Sequence, residues 1–238
     1  GTVGQSNNLN VINSNTNANV IANTTSSGYI NIGGIVGNIS GGKIEQSYVT
    51  GNIITTSENG AIYAGGITGQ ATSASITNVG MNGNISATTT GSGQVNAGGL
   101  LGFFNTGNII NKCYTTGDVT TITDTGTIMS GGLIGNKNST TQMYVNNVYA
   151  TGKIAARSNS GTVWAGGLMA NAYYVNVTNA YAVGKVTVET TGSKANGGMI
   201  AVSNTSTTIS SSYWSPETTG QNTSANGTAV LFQNMLYK

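Results

Sequence analysis

The sequence predicts an all-β parallel solenoid, a β-helix of about 33 residues per coil, and three observations carry that prediction. The phrase Ala-Gly-Gly-Leu-Leu-Gly at Ala97–Gly102 recurs as Ile32–Gly37, Ala64–Gly69, Ser130–Gly135, Ala165–Ala170 and, in degenerate form, Asn196–Ala201. Its glycine pairs begin at Gly33, Gly65, Gly98, Gly131, Gly166 and Gly197, in steps of 32, 33, 33, 35 and 31 residues. Apolar β-branched residues then fall at fixed phases of this period: Ile44, Ile76, Ile110, Val145, Val177 and Ile209 in one column, Ile53, Ile85, Val119, Ile154 and Val186 in another. Such residues suit a pleated, buried surface. The 238 residues also contain a single proline, as expected where every strand amide donates to a neighbouring coil.

Within one unit, Thr127–Gly161, alternation and turn residues suggest three strands. Ile128–Gly135 reads as the first and Asn136–Gln142 as a polar turn. Val145–Gly152 reads as the second strand, and Lys153–Arg157 begins a third before Ser158–Gly161 turns back. Stacking like strands on like gives roughly seven coils, counting partial ones at each end, and a rod about 30 Å long at ~4.8 Å per coil. Right-handed winding follows from the general preference of parallel crossovers. Leu100, Leu133, Leu168, Ile35 and Ile67 occupy one phase of the first strand, and Val36, Leu101, Ile134 and Met169 the other, so both faces are expected to be buried. Gly51, Gly83, Gly117, Gly152 and Gly184 mark a corner needing positive φ or close backbone approach.

Two further columns stand out. Asn78, Asn147 and Asn179, with Gln46, Lys112 and Ser211 at the same phase, read as a structural ladder of corner side chains. Tyr48, Tyr114, Tyr149, Tyr181 and Tyr213, interrupted by Gly80, should stack at strand spacing as an edge stripe or a cover over the core. Between these columns the small position holds Ser47, Val79, Cys113, Val148, Ala180 and Ser212, so Cys113 reads as a buried packing thiol. A lone cysteine forms no internal disulfide.

The order along the chain is a partial first coil over 1–28, five full coils over 29–194, and a degenerate last coil with a C-terminal cap over 195–238. Gly1–Gly4 matches Gly34–Gly37, so the array is expected to continue upstream, with any signal or anchor before Gly1. Pro216 stands where other units carry the corner glycine. The apolar Val230, Leu231, Phe232, Met235 and Leu236 that follow suit a short amphipathic segment over the final coil, or equally the start of a linker.

The units resemble the GLUG motif, through Gly-Gly-Leu-Leu-Gly followed by Asn-Lys-Cys-Tyr-Thr-Thr-Gly (Asn111–Gly117). The resemblance is good from Ile32 to about Lys194 and weaker outside it, with Asn15 in place of the tyrosine and Ala201 in place of the glycine. It implies a large secreted or surface-attached bacterial protein, adhesin-like or carrying a non-catalytic region beside a peptidase.

Chemistry is sparse. Only 6% of residues are charged and none is histidine, which removes the commonest general base and metal ligand. The acids Glu45, Glu58, Asp118, Asp124, Glu189 and Glu217 fall at different phases of the repeat. Asp118 and Asp124 share a coil and are the one pair to weigh as a paired-carboxylate site, but isolated acids on loops are more simply solvated charges. A calcium-binding solenoid would need an aspartate in every turn, and that column is absent. The cations are spread, giving no nucleic-acid footprint, and no apolar run of about 18 residues spans a membrane. No cofactor, metal or catalytic residue is indicated.

One column offers a ligand-facing surface. Tyr63, Asn96, Met129 and Trp164 share a phase with Asn31 and Ala195, opposite the apolar Ile62, Ile128 and Val163. Rings beside amides are a surface on which sugar faces stack and hydroxyls bond. Thr55-Thr56, Thr88–Thr90, Thr120-Thr121 and Thr187 enrich the third strand, but Ala87, Ala155 and Ala156 break the register an ice-binding face requires. The sequence therefore points to a non-enzymatic extracellular or cell-surface repeat module, structural or adhesive. Its alternatives are a carbohydrate-binding face and a non-catalytic domain of a secreted protease. Expected partners are a host or surface glycan or protein, or further copies of the chain in a filament.

Overall fold

The computed structural model describes residues 3–106 and 109–235. Gly1 and Leu236, which figure in the expectations for the two ends, lie outside the described residues. The chain winds as a parallel β-solenoid in which each strand pairs with its equivalents about 33 residues away. The expected columns are in register throughout: Ile76 lies between Ile44 and Ile110, and Val145 between Ile110 and Val177. Ile85 likewise lies between Ile53 and Val119.

After the first full coil, in which Val36–Val49 runs as one strand, each full coil has four strands where three were expected. In the coil after the first full repeat these are Ile62–Gly65, Thr68–Thr72, Ser75–Met81 and Ile85–Thr89. The equivalents of Ile62–Gly65 form one six-stranded sheet and those of Ile85–Thr89 a second. The other two sets form two arms of a 14-stranded sheet, joined through one long strand, Val36–Val49.

The extra strand arises because Gly-Gly-Leu-Leu-Gly does not run straight. The amides of Leu100 and Leu101 both donate to the Leu133 carbonyl, at 2.9 and 3.1 Å. Ile35 and Val36 share the Ile67 carbonyl in the same way, and Leu133 and Ile134 that of Leu168. With three residue steps from Gly98 to Leu101 and from Gly131 to Ile134, no residue is extra, and two amides on one carbonyl mark a tight corner that bends the chain and re-aims its side chains. Stacked coil upon coil, the bend turns one expected strand into two belonging to different sheets. It also explains how both phases are buried: Ile35, Val36, Leu100, Leu101, Leu133, Ile134, Leu168 and Met169 all join one core cluster.

Of the two reasons expected for the corner glycines, positive φ or close backbone approach, the fold shows the second. The corner glycines are absent from the residues with positive φ. The left-handed turns are instead made by the neighbouring polar column, with φ of 48° at Gln46, 55° at Asn78, Lys112 and Asn147, 54° at Asn179 and 45° at Ser211. Asparagine is enriched there because its short polar side chain tolerates this region. Gly117 is needed for close approach: a Cβ built on it would lie 1.9 Å from the Gly83 carbonyl oxygen.

The last coil is covered by the segment after Pro216. Pro216–Thr219 forms a helical turn closed by Gly220 at φ 68°. Beyond it, Ser224 Oγ accepts from the amides of Met199 and Ile200 at 3.2 and 2.9 Å, and Gln221 Nε2 donates to the Val186 carbonyl at 2.7 Å. Amides and carbonyls that would otherwise be open on the final coil are thus satisfied.

Candidate functional site

The ligand-facing column predicted from sequence is aligned by strand pairing: Asn31, Tyr63, Asn96, Met129, Trp164 and Ala195 are successive register partners. Its surroundings differ from an open face. The bend at Gly-Gly-Leu-Leu-Gly makes an elbow, and a second column from the adjoining arm, Asn38, Gln70, Phe103, Asn136, Asn171 and Val202, runs alongside it. The elbow is tight: a Cβ on Gly102 would lie 2.8 Å from the Asn96 carbonyl oxygen.

Burial follows from that geometry. Asn96 is 1% exposed and Met129 9%, which corrects the expectation of an outward face at these two positions. Tyr63 and Trp164 are half-buried. The Tyr63 ring is sandwiched, with Phe103 at 5.3 Å and Tyr29 at 5.8 Å between ring centroids. Burial, and secondarily the neighbouring Tyr29 phenol, pushes the Tyr63 hydroxyl above its ordinary pKa. Gln94 Nε2 donates to Asn96 Oδ1 at 3.1 Å, and Asn171 Nδ2 to Asn136 Oδ1 at 2.9 Å. The elbow is thus filled by its own side chains, a small second packing seam outside the main core.

The tyrosine column, read from sequence as an edge stripe or cover, presents more open surface. Tyr48, Gly80, Tyr114, Tyr149, Tyr181 and Tyr213 are register partners in order. Tyr114 and Tyr149 stack at 5.2 Å with planes 12° apart, and Tyr149 and Tyr181 at 5.0 Å and 3°. Tyr48 and Tyr114 lie 6.5 Å apart, the Tyr114 ring leaning into the space that Gly80 leaves. Burial first, and the adjacent phenol second, raise the pKa of Tyr149 and Tyr181. Beside the rings runs an amide ladder, Asn179 Nδ2 donating to Asn147 Oδ1 at 3.2 Å and Asn147 Nδ2 to Asn111 Oδ1 at 2.9 Å.

At its C-terminal end this stripe borders a cavity of about 600 Å³, lined by Thr151, Asn179, Tyr181, Val183, Ser211, Tyr213, Phe232 and Met235 among others. The cavity depends on the return of the chain after the last coil, so residue periodicity gave no sign of it. The apolar run from Val230 was the available signal.

The acids do not assemble. Asp118 and Asp124 flank the strand Val119–Thr123, and six residues of extended chain separate them by about 20 Å. A paired-carboxylate site needs roughly 5–10 Å. Nor are they free charges on loops, as expected: both are half-buried. Asp118 Oδ1 accepts from the Lys153 amide at 2.8 Å and Asp124 Oδ1 from Asn159 Nδ2. Asp118 continues a ladder that sequence reading missed, in which Asn19, Asn52 and Asn84 Oδ1 accept from the amides of Asn52, Asn84 and Asp118 at 2.8–2.9 Å. Its signal was the Gly-Asn or Gly-Asp pair at Gly51, Gly83 and Gly117. Among the described residues no three His, Cys, Asp or Glu side chains gather as a metal site, and no helix is long and apolar enough to cross a membrane.

Cys113 is buried in the small column, its thiol donating toward the Asn111 and Ile76 carbonyls at 3.3 and 3.6 Å. Burial pushes its pKa up to about 12, so the nucleophilic thiolate is suppressed at neutral pH.

No match to a curated protein or to a solved structure was found. Residues 28–54 match the family model of the GLUG motif. That segment holds the strands Ile30–Gly33 and Val36–Val49, and its columns recur in register through the later coils, which supports reading the chain as a GLUG-motif repeat protein.

Proposed function

We propose that this chain is a non-enzymatic structural repeat module of a larger extracellular or cell-surface protein, a stiff rod that holds an adhesive surface away from its point of attachment. The observation that carries the proposal is the register. Side chains of one type stack through successive coils in the tyrosine stripe, the Asn111–Asn147–Asn179 ladder and the Asn19–Asp118 ladder. A chain whose polar groups are spent on axial hydrogen bonds is organised for rigidity along the stack. The dispersal of the acids and the inert environment of Cys113 favour this reading over a catalytic one.

Antibodies raised against the folded module should label intact, unpermeabilised source cells or their secreted fraction. Beads coated with the module should adhere to a surface that uncoated beads do not hold. Signal confined to the cytosol would overturn the extracellular assignment. A carbohydrate-binding face is the favoured form of adhesion, because the tyrosine stripe keeps Tyr181 39% exposed. The protease-domain alternative calls for a peptidase elsewhere in the same gene product.

A further inference from the structure

The stacked tyrosines stop one ring short of their column. Tyr181 and Tyr213 are register partners, yet among the described residues the series of stacked rings closes with the Tyr149–Tyr181 pair. One face of Tyr181 rests on Tyr149. The other side turns to the cavity of about 600 Å³ whose wall also includes Tyr213, with Phe232 and Met235 along a further edge. Phe232–Met235 is a single helical turn with no buried residue, anchored by the Phe232 amide donating to Glu217 Oε2 at 2.9 Å. Phe232 is 44% exposed, so this turn walls the space without filling it.

We propose that this cavity is a binding site for a neutral pyranose residue of a glycan, which lies on the open face of the Tyr181 ring. The inference deepens the adhesive reading above and rests on it. Three observations select the ligand. Among the described residues the lining holds no carboxylate, ammonium or guanidinium group, so a charged guest would lose hydration with no counter-charge from them in return. The ring face carries the negative side of the aromatic quadrupole and attracts the slightly positive C–H groups on the flat face of a sugar. Hydrogen-bonding groups stand at the rim: the hydroxyls of Thr151 and Ser211, and Asn179, whose amide nitrogen is committed to Asn147 while its Oδ1 meets no donor among the described residues. A purely aromatic or aliphatic guest would leave these groups unused. The volume lies within the range of about 300–1,000 Å³ that small-ligand sites occupy.

The full chain should be titrated calorimetrically with cellobiose, maltose, lactose and N,N′-diacetylchitobiose. At least one is expected to bind at millimolar concentration or tighter. Tyr181→Ala should weaken that binding at least tenfold, and Val183→Trp, which fills the cavity from its half-buried wall, should abolish it. Phe232→Ala alters only an exposed side chain and keeps the test valid if either other variant melts early; it should weaken binding severalfold. Tyr144→Ala, at an exposed tyrosine outside both the stripe and the cavity wall, should bind as the parent does. Failure of all four sugars to bind, or binding unchanged in both Phe232→Ala and Val183→Trp, would overturn the site. Surface labelling of cells tests the structural role separately and is independent of these titrations.

Discussion

Lys137 is the residue whose place the repeat determines against its chemistry. It occupies the core column between Phe104 and Ala172 and is fully buried. Its Nζ donates to the carbonyl and hydroxyl of Ser139 at 2.8 and 2.7 Å and to the Tyr173 carbonyl at 3.3 Å, tying down the turn in the longest repeat step. Burial lowers its pKa to about 8. Because the unfolded chain holds this proton up to an ordinary lysine pKa of about 10.5, it binds more protons than the fold between pH 8 and 10.5, and stability should rise with pH across that window. Below pH 8 the contribution is lost. Cys113 acts in the opposite sense from about pH 9 upward, since its folded pKa is raised, so the measurement is the difference between the parent and Lys137→Met, in which the thiol's effect cancels. Urea melts at pH 8 and 10 should show the parent gaining on Lys137→Met by more than about 1 kcal/mol, since each unit of pKa shift is worth about 1.4 kcal/mol. Equal slopes with pH would refute the assignment.

At the scale of the corner and the strand, the sequence displayed the columns clearly and the backbone poorly. Spacing alone placed Ile76 beside Ile44 and Ile110 and Tyr149 beside Tyr114, because a fixed period leaves one register for parallel pairing. It did not reveal that Leu100 and Leu101 share one carbonyl, since a corner made by hydrogen bonding leaves the apolar alternation intact. The candidate column was legible as a column for the same reason, while its cover was not: Asn96 and Met129 are hidden by a bend that brings another strand alongside. Of the two reasons read for the corner glycines, close approach is the one the fold uses, whereas positive φ is adopted by Asn78, Asn147 and Asn179. Lys112 holds the same conformation without asparagine's compensation, so Lys112→Asn should stabilise the protein by up to about 1 kcal/mol in a thermal melt. Asp118 tests the neighbouring ladder. Asp118→Asn keeps the acceptor for the Lys153 amide and should leave the melting temperature nearly unchanged, whereas Asp118→Ala removes it and should cost about 1 kcal/mol.

For the whole molecule, stability is a sum over coils and the contacts between successive ones, since the long-range pairing runs almost wholly from one coil to the next. A defect placed in the middle of such a stack should therefore spread from where it is made. Gly117 is the position to use. A methyl group there would sit 1.9 Å from the Gly83 carbonyl oxygen and 2.5 Å from its carbon, both backbone atoms with no rotamer by which to withdraw. Its φ lies outside the left-handed region, so the damage is steric, and even the smallest side chain should inflict it. Gly117→Ala is expected to cost about 3 kcal/mol, at the upper end of what overpacking does. Gly117→Asn, which would relieve strain of a left-handed residue, should be no better. Hydrogen exchange on Gly117→Ala should show lost protection centred on Ile85–Thr89, Val119–Thr123 and Ile154–Ser158, the strands that meet at that corner's sheet, with the amides of Ile30–Gly33 and Val186–Glu189 retaining more. A uniform loss of protection along the chain would mean that the array unfolds as one cooperative body and that the rod is not the sum of its coils.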